Sequence, residues 1–230
     1  MPAKRRPRKT AGDTAHALVK AALSAVPVAG GPLAELFAYL IDEPVKKRRD
    51  DWIEEVAGSL EDLRARIGDD FIEGLRHNES FTTILLNASQ IAVRSHQREK
   101  IEALANAVLN SALGMTPDET ERAIMLDLID RLTPTHVSLL RLFQAPQNNP
   151  AVAQRMSSMF SGGLTQIVWA AFPELQSRSE LVNLIWRDLS NAGLMTEGGL
   201  NVMMTGGGLI QKRTTTFGDR FLEFISKPAL

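Results

Sequence analysis

Four histidines, His16, His77, His96 and His136, are the side chains best suited to metal binding or to proton transfer near neutral pH. A zinc enzyme would need two of them, or one with a carboxylate, at a spacing that turns both toward one ion. The four instead fall on separate predicted elements with no such pairing, so each reads as a surface or helix-end histidine. The chain contains no cysteine, which removes disulfides, thiolate zinc sites and cysteine nucleophiles. Carboxylates occur in neighbouring pairs, Asp50-Asp51, Glu54-Glu55, Glu61-Asp62 and Asp69-Asp70, on or beside the polar face of one long predicted helix. Catalytic acid pairs need burial to push their pKa values apart, and solvated charges on a helix face lack it.

Glycine clusters raise the question of phosphate binding. Ser161-Gly162-Gly163 and Gly206-Gly207-Gly208 are neither followed by Gly-Lys-Ser/Thr nor part of a G-x-G-x-x-G between a strand and a helix, so they read as hinges. The Gly-x-Ser-x-Gly elbow of the common hydrolase fold is also missing. The sequence therefore predicts a protein that is not an enzyme, with no catalytic, metal or cofactor-binding residues and no identified small-molecule substrate.

The elements that would carry these residues are almost all helices. Asp13 or Thr14 is a candidate cap for a helix to about Val26, Pro32 suits the first turn of a second through Ile41, and Pro44 the first turn of a third. That third helix has the clearest stripe, Trp52, Ile53, Val56, Leu60, Leu63 and Ile67, at steps of three and four. Amphipathic segments follow over residues 78–96 and 97–113. Thr116-Pro117 and Thr133-Pro134 each place a capping hydroxyl before a proline and predict two further helix starts.

After Gln147-Asn148-Asn149-Pro150 the grammar changes. The spacing predicts a short helix over 164–172, a turn at Pro173, a longer helix over 179–192 ending at Gly193, and a last helix from Thr216. Between the last two, residues 200–205 and 209–214 read as a two-stranded hairpin with Gly206-Gly207-Gly208 at its tip. The expected fold is mainly α: a basic tail over 1–12, an N-terminal multi-helix bundle over 13–131, and a C-terminal winged-helix-like module over 132–230.

The 230 residues are 44% hydrophobic and 23% charged, the composition of an ordinary globular chain, and cysteine-free in keeping with a cytoplasmic home. The formal net charge of −1 hides an uneven distribution. Residues 1–12 hold five basic residues and no acid, residues 13–131 hold 13 basic against 21 acidic, and residues 132–230 hold 8 against 6. The N-terminus only imitates a secretory signal, because Asp13 and Lys20 interrupt it and Pro27, Gly30, Gly31 and Pro32 break the apolar run.

Two segments carry binding hypotheses. The predicted helix over 179–192 offers Asn183 and Arg187, preceded by Arg178, and the predicted wing offers Lys212 and Arg213; these five are the candidate nucleic-acid residues. Against them, one Arg beside Glu180 and Asp188 is a poor match for phosphates, which favours a protein partner or self-association over DNA. Residues 17–41 hold only Lys20 and Glu35 as charges, with Lys46, Lys47, Arg48 and Arg49 close behind. Leu33, Leu36, Phe37 and Leu40 are accordingly candidate membrane-binding residues of a hydrophobic hairpin, although two core helices joined by a turn explain the same pattern more simply.

Leu104-Ala105-Asn106-Ala107-Val108-Leu109-Asn110-Ser111-Ala112, with Leu132-Thr133-Pro134-Thr135-His136-Val137-Ser138-Leu139-Leu140 downstream, resembles bacterial proteins of the Abi-alpha abortive-infection type. The resemblance implies a helical N-terminal region, a winged-helix-like C-terminal part and a role in phage defence without a defined reaction. The chain departs from that pattern between Met115 and Asp130, and no functional residue is carried over.

Overall fold

The computed structural model describes residues 32–228 apart from 69, 116, 117 and 158, with side chains from residue 44 onward. The fold is mainly helical, with a single two-stranded antiparallel sheet among the described residues. The chain divides into two compact units, Met1–Asp50 and Asp51–Leu230. The basic tail and the helix expected over 13–26 lie outside the described residues. So do the side chains of Leu33, Leu36, Phe37 and Leu40, whose backbone is helical. Among the described residues no helix is long and apolar enough to cross a membrane.

Helix α1, Pro32–Ile67, runs through Pro44 instead of restarting there. Proline's fixed φ is itself helical, so the chain can continue at the cost of one backbone hydrogen bond and some crowding of the preceding turn. Then come α2 (Asp70–Arg76), α3 (Glu79–Arg94), α4 (Arg98–Ala112), α5 (Glu119–Arg131) and α6 (Pro134–Gln144). Asn78 caps α3, its Oδ1 accepting from the Phe81 N–H at 2.9 Å. The Thr116-Pro117 start expected for α5 lies outside the described residues. Asp118 caps α5, accepting from the N–H groups of Thr120 and Glu121 at 2.9 and 3.0 Å, and its charge also suits the positive end of the helix.

The C-terminal part consists of α7 (Pro150–Met156), β1 (Ser161–Gly162), α8 (Thr165–Ala171), α9 (Ser179–Asn191), β2 (Met204–Thr205), α10 (Gly206–Leu209) and α11 (Thr216–Phe224). The predicted hairpin does not form. β2 pairs with β1, Ser161 opposite Thr205 and Gly162 opposite Met204, rather than with residues 209–214. The three glycines form the start of α10, whose first turn is capped by Thr205 Oγ1 at 3.3 Å from the Gly208 N–H, so they are no open tip. Residues 213–215 pair instead with 194–196, through a bridge between Met195 and Thr214 flanked by Thr196 N–H to Arg213 O (2.8 Å) and Thr215 N–H to Leu194 O (3.0 Å).

Leu132 lies within the unit Asp51–Leu230. One apolar cluster extends from Trp52 and Val56 of α1 through Leu104, Leu128 and Leu139 to Phe221 and Phe224 of α11. A polar tie crosses the expected junction as well: the amide of Asn110, only 2% exposed, lies 3.2, 2.8 and 2.9 Å from the carbonyl oxygens of Glu223, Phe224 and Ser226. The acidic helices and the C-terminal elements thus share one core, because α11 leaves its last carbonyls to be satisfied by α4.

Candidate interaction surface

Helix α9 positions the surface. Val182, Ile185, Trp186 and Leu189 are buried along one side. Trp186 is held twice, its ring meeting Phe143 edge-on with centroids 5.0 Å apart and its Nε1–H donating to Gly198 O at 2.7 Å. The opposite side carries Glu180, Asn183, Leu184, Arg187 and Asn191, all exposed and spaced as one helical stripe. Arg178, also exposed, is the residue before the helix and makes no side-chain cap bond.

Three of the five candidate nucleic-acid residues, Arg178, Asn183 and Arg187, therefore share one exposed neighbourhood on α9. Lys212 and Arg213 point their charge elsewhere. Lys212 forms an ion pair with Asp219 of α11. Asp219 also accepts from Thr214 Oγ1 at 2.6 Å and Gln144 Nε2 at 3.3 Å. Partial burial pushes that carboxyl up, but the hydrogen bonds from Lys212, Thr214 and Gln144 outweigh it and hold its pKa below the usual range. Arg213 turns inward, its Nη2 donating to Gly208 O at 2.7 Å and lying 3.1 Å from Met204 Sδ, while its Nε is buried. Its guanidinium fastens α10 and β2 to the body, which corrects the expectation of a cation on an open wing.

Three exposed apolar side chains beside the small sheet were not singled out by the sequence. Phe160 is 95% exposed, Met203 74% and Val202 52%. All three flank the small sheet: Phe160 immediately precedes β1, and its carbonyl accepts from the Gly206 N–H at 2.9 Å, while Val202 and Met203 immediately precede β2. Their sequence signal was ambiguous, since an apolar run such as Leu200 to Met204 looks the same whether its strand is buried or bare.

A polar contact behind α9 was not read from the sequence either. His136, buried at the third position of α6, has Nδ1 2.8 Å from Thr133 Oγ1 and 3.3 Å from the Thr133 N–H, which closes a capping box. Its Nε2 faces Asp188 of α9 at 3.6 Å. Burial lowers the imidazole pKa, opposed by Asp188, so the neutral ring accepts at Nδ1 and presents Nε2–H to the carboxylate. The spacing of Thr133 and His136 was available in the sequence; the partner Asp188, far along the chain, was not. Among the described residues no group of three or more histidine, aspartate or glutamate side chains is arranged to hold a metal ion.

Comparison of the chain with family models, curated proteins and solved structures finds no match in any of the three.

Proposed function

We propose that residues 134–228 form a winged-helix-like contact module whose partner is a protein, in the phage-defence setting that the Abi-alpha resemblance implies. The order β1, α8, α9, outgoing chain, returning chain bridged at Met195 and Thr214, and closing helix α11 supports the winged-helix-like description. The single observation that carries the choice of partner is the bare apolar rim of the sheet, Phe160, Val202 and Met203. Aromatic and methionine side chains at this exposure are what protein interfaces cover and what phosphate-binding surfaces do not use. Lys212 and Arg213, moreover, direct their charge to Asp219 and Gly208.

A photocrosslinking residue at position 160 of the full chain, expressed in its native cell, tests this reading. Discrete protein adducts are expected, and Met203→Ser should deplete them; sedimentation of the purified chain tells a second copy from a different partner. The DNA reading keeps one specific support, the exposed Arg178, Asn183 and Arg187 on α9. Duplex binding at fixed salt that is lost in an Arg178→Ala, Arg187→Ala variant, with no adduct from position 160, would replace the protein reading by the DNA one.

A further inference from the structure

A cleft of about 260 Å³ opens between α4, α6 and α11. It falls just below the roughly 300–1,000 Å³ of sites for drug-sized ligands, so any occupant is small. Its apolar lining comes from the end of α5 (Ile129, Leu132), from α6 (Val137) and from α11 (Phe221, Ile225). Sites of this kind take an apolar body and fix its orientation with a few polar groups.

Of the two cations lining the cleft, Arg141 is exposed and its Nη2 donates to Ser226 Oγ at 3.3 Å, which leaves Lys100 as the inner one. It is half-buried on α4, and its Nζ donates to the Asp130 backbone oxygen at 2.7 Å, which uses one of its three N–H bonds. The nearest carboxylate, that of Asp130, is taken by Arg94 Nη2 at 2.9 Å. Burial pushes the ammonium pKa down, the Asp130 charge raises it, and Arg94 lowers it again. Such a cation gains from an anion brought to it. Thr133 and Pro134, at the positive end of α6, line the same cleft. Glu99 and Glu102 also line it and are exposed, which disfavours a multiply charged anion but leaves room for a single carboxylate on the ammonium.

We propose that this cleft binds a short-chain amphipathic monocarboxylate, with the carboxylate on Lys100 and the hydrocarbon against the partly exposed Ala103, Pro134 and Val137, over a floor of buried Ile129, Leu132 and Ile225. The site is separate from the α9 surface and stands whether or not that surface binds protein.

Calorimetric titration of the full chain with sodium octanoate, 1-octanol and octylamine, each below its aggregation range, tests the assignment. Octanoate should bind saturably at one site, and octanol and octylamine about tenfold or more weaker, since a charge-assisted hydrogen bond contributes about 1.5–3 kcal/mol and 1.4 kcal/mol is tenfold. Lys100→Gln should bring octanoate to the level of octanol and leave octanol unchanged. Methyl resonances of Ile129, Val137 and Ile225 in the parent protein should shift with the same saturation curve. Non-saturating octanoate, equal affinity for all three probes, unchanged affinity in Lys100→Gln, or shifts confined to other methyls would each overturn the site.

Discussion

Helices α3, α4 and α5 present long apolar stripes to the core, whereas the chain from β1 to α11 is assembled from elements of two to thirteen residues. In the first region, Phe81, Ile84, Ala88, Ile91 and Ala92 fall at helical steps, and the packing follows from the stripe. In the second, side chains reach backbone outside their own element, Trp186 to Gly198 and Arg213 to Gly208, and Asn110 of α4 holds the end of α11. Short helices and two-residue strands gain too little from their own hydrogen bonds to persist alone, so tertiary polar contacts decide their placement. The same difference fits the placement of the proposed contact residues in the second region, since irregular chain supported by a rigid core is where binding residues are commonly presented.

Glycine substitutions give the sharpest way to break this comparison. A Cβ on Gly218 of α11 would sit 2.1 Å from Leu194 O and 3.0 Å from Leu194 C, and that backbone is held by its bond from the Thr215 N–H. Gly218→Val should lower stability by about 3 kcal/mol or more, seen as a shifted urea midpoint, because overpacking against backbone has no flexible side chain to yield. A variant as stable as the parent would mean that the chain around Leu194 is not pinned as described.

Next in size is Asn110→Leu, which keeps the branched shape but removes the amide from the carbonyls of Phe224 and Ser226, while Glu223 O keeps its bond from the Ser226 N–H. About 2 kcal/mol should be lost, with amide exchange accelerated over α11 more than over α3. Uniform acceleration would show instead that the two regions open together.

The contact behind α9 makes a smaller, pH-dependent contribution. His136 has a folded pKa below its ordinary 6.5, so the folded state binds protons less readily than the unfolded one. Stability from this group is complete above that value and falls as pH drops below it toward the folded pKa. Charges facing it are Asp188 from α9, Lys100 from α4 and Arg131 from the end of α5. Denaturation between pH 7.5 and 5.5 should show a decline that is shallower in His136→Gln; matching slopes would remove the histidine from the account.

The smallest change expected is a gain. Gly58 lies inside α1 with open space around the position of a Cβ, so Gly58→Ala should stabilise by about 0.5–1 kcal/mol. The opposite sign of Gly58 and Gly218 is the comparison in its simplest form.

Much of the first region was determined by sequence alone. The stripes of α3 and α4 and the Thr133-Pro134 start of α6 depend on residues within a few positions of one another, and helical hydrogen bonds are equally local. Gly193, with φ of +70°, was likewise readable as the glycine just past the cap residue that ends α9. A local signal is ambiguous where it fits two roles: Pro44 looks like a helix start but lies inside α1.

Tertiary structure alone decided the rest. Strand pairing is a choice between distant segments, so nothing near residues 204–205 could indicate that they would join residues 161–162 and leave residues 213–215 to join 194–196. The candidate surface divides along the same line. Helical periodicity was enough to place Asn183 and Arg187 on the polar side of α9. Whether Phe160 is covered and whether His136 meets Asp188 depend on where a remote chain packs, and sequence spacing carries no information about that.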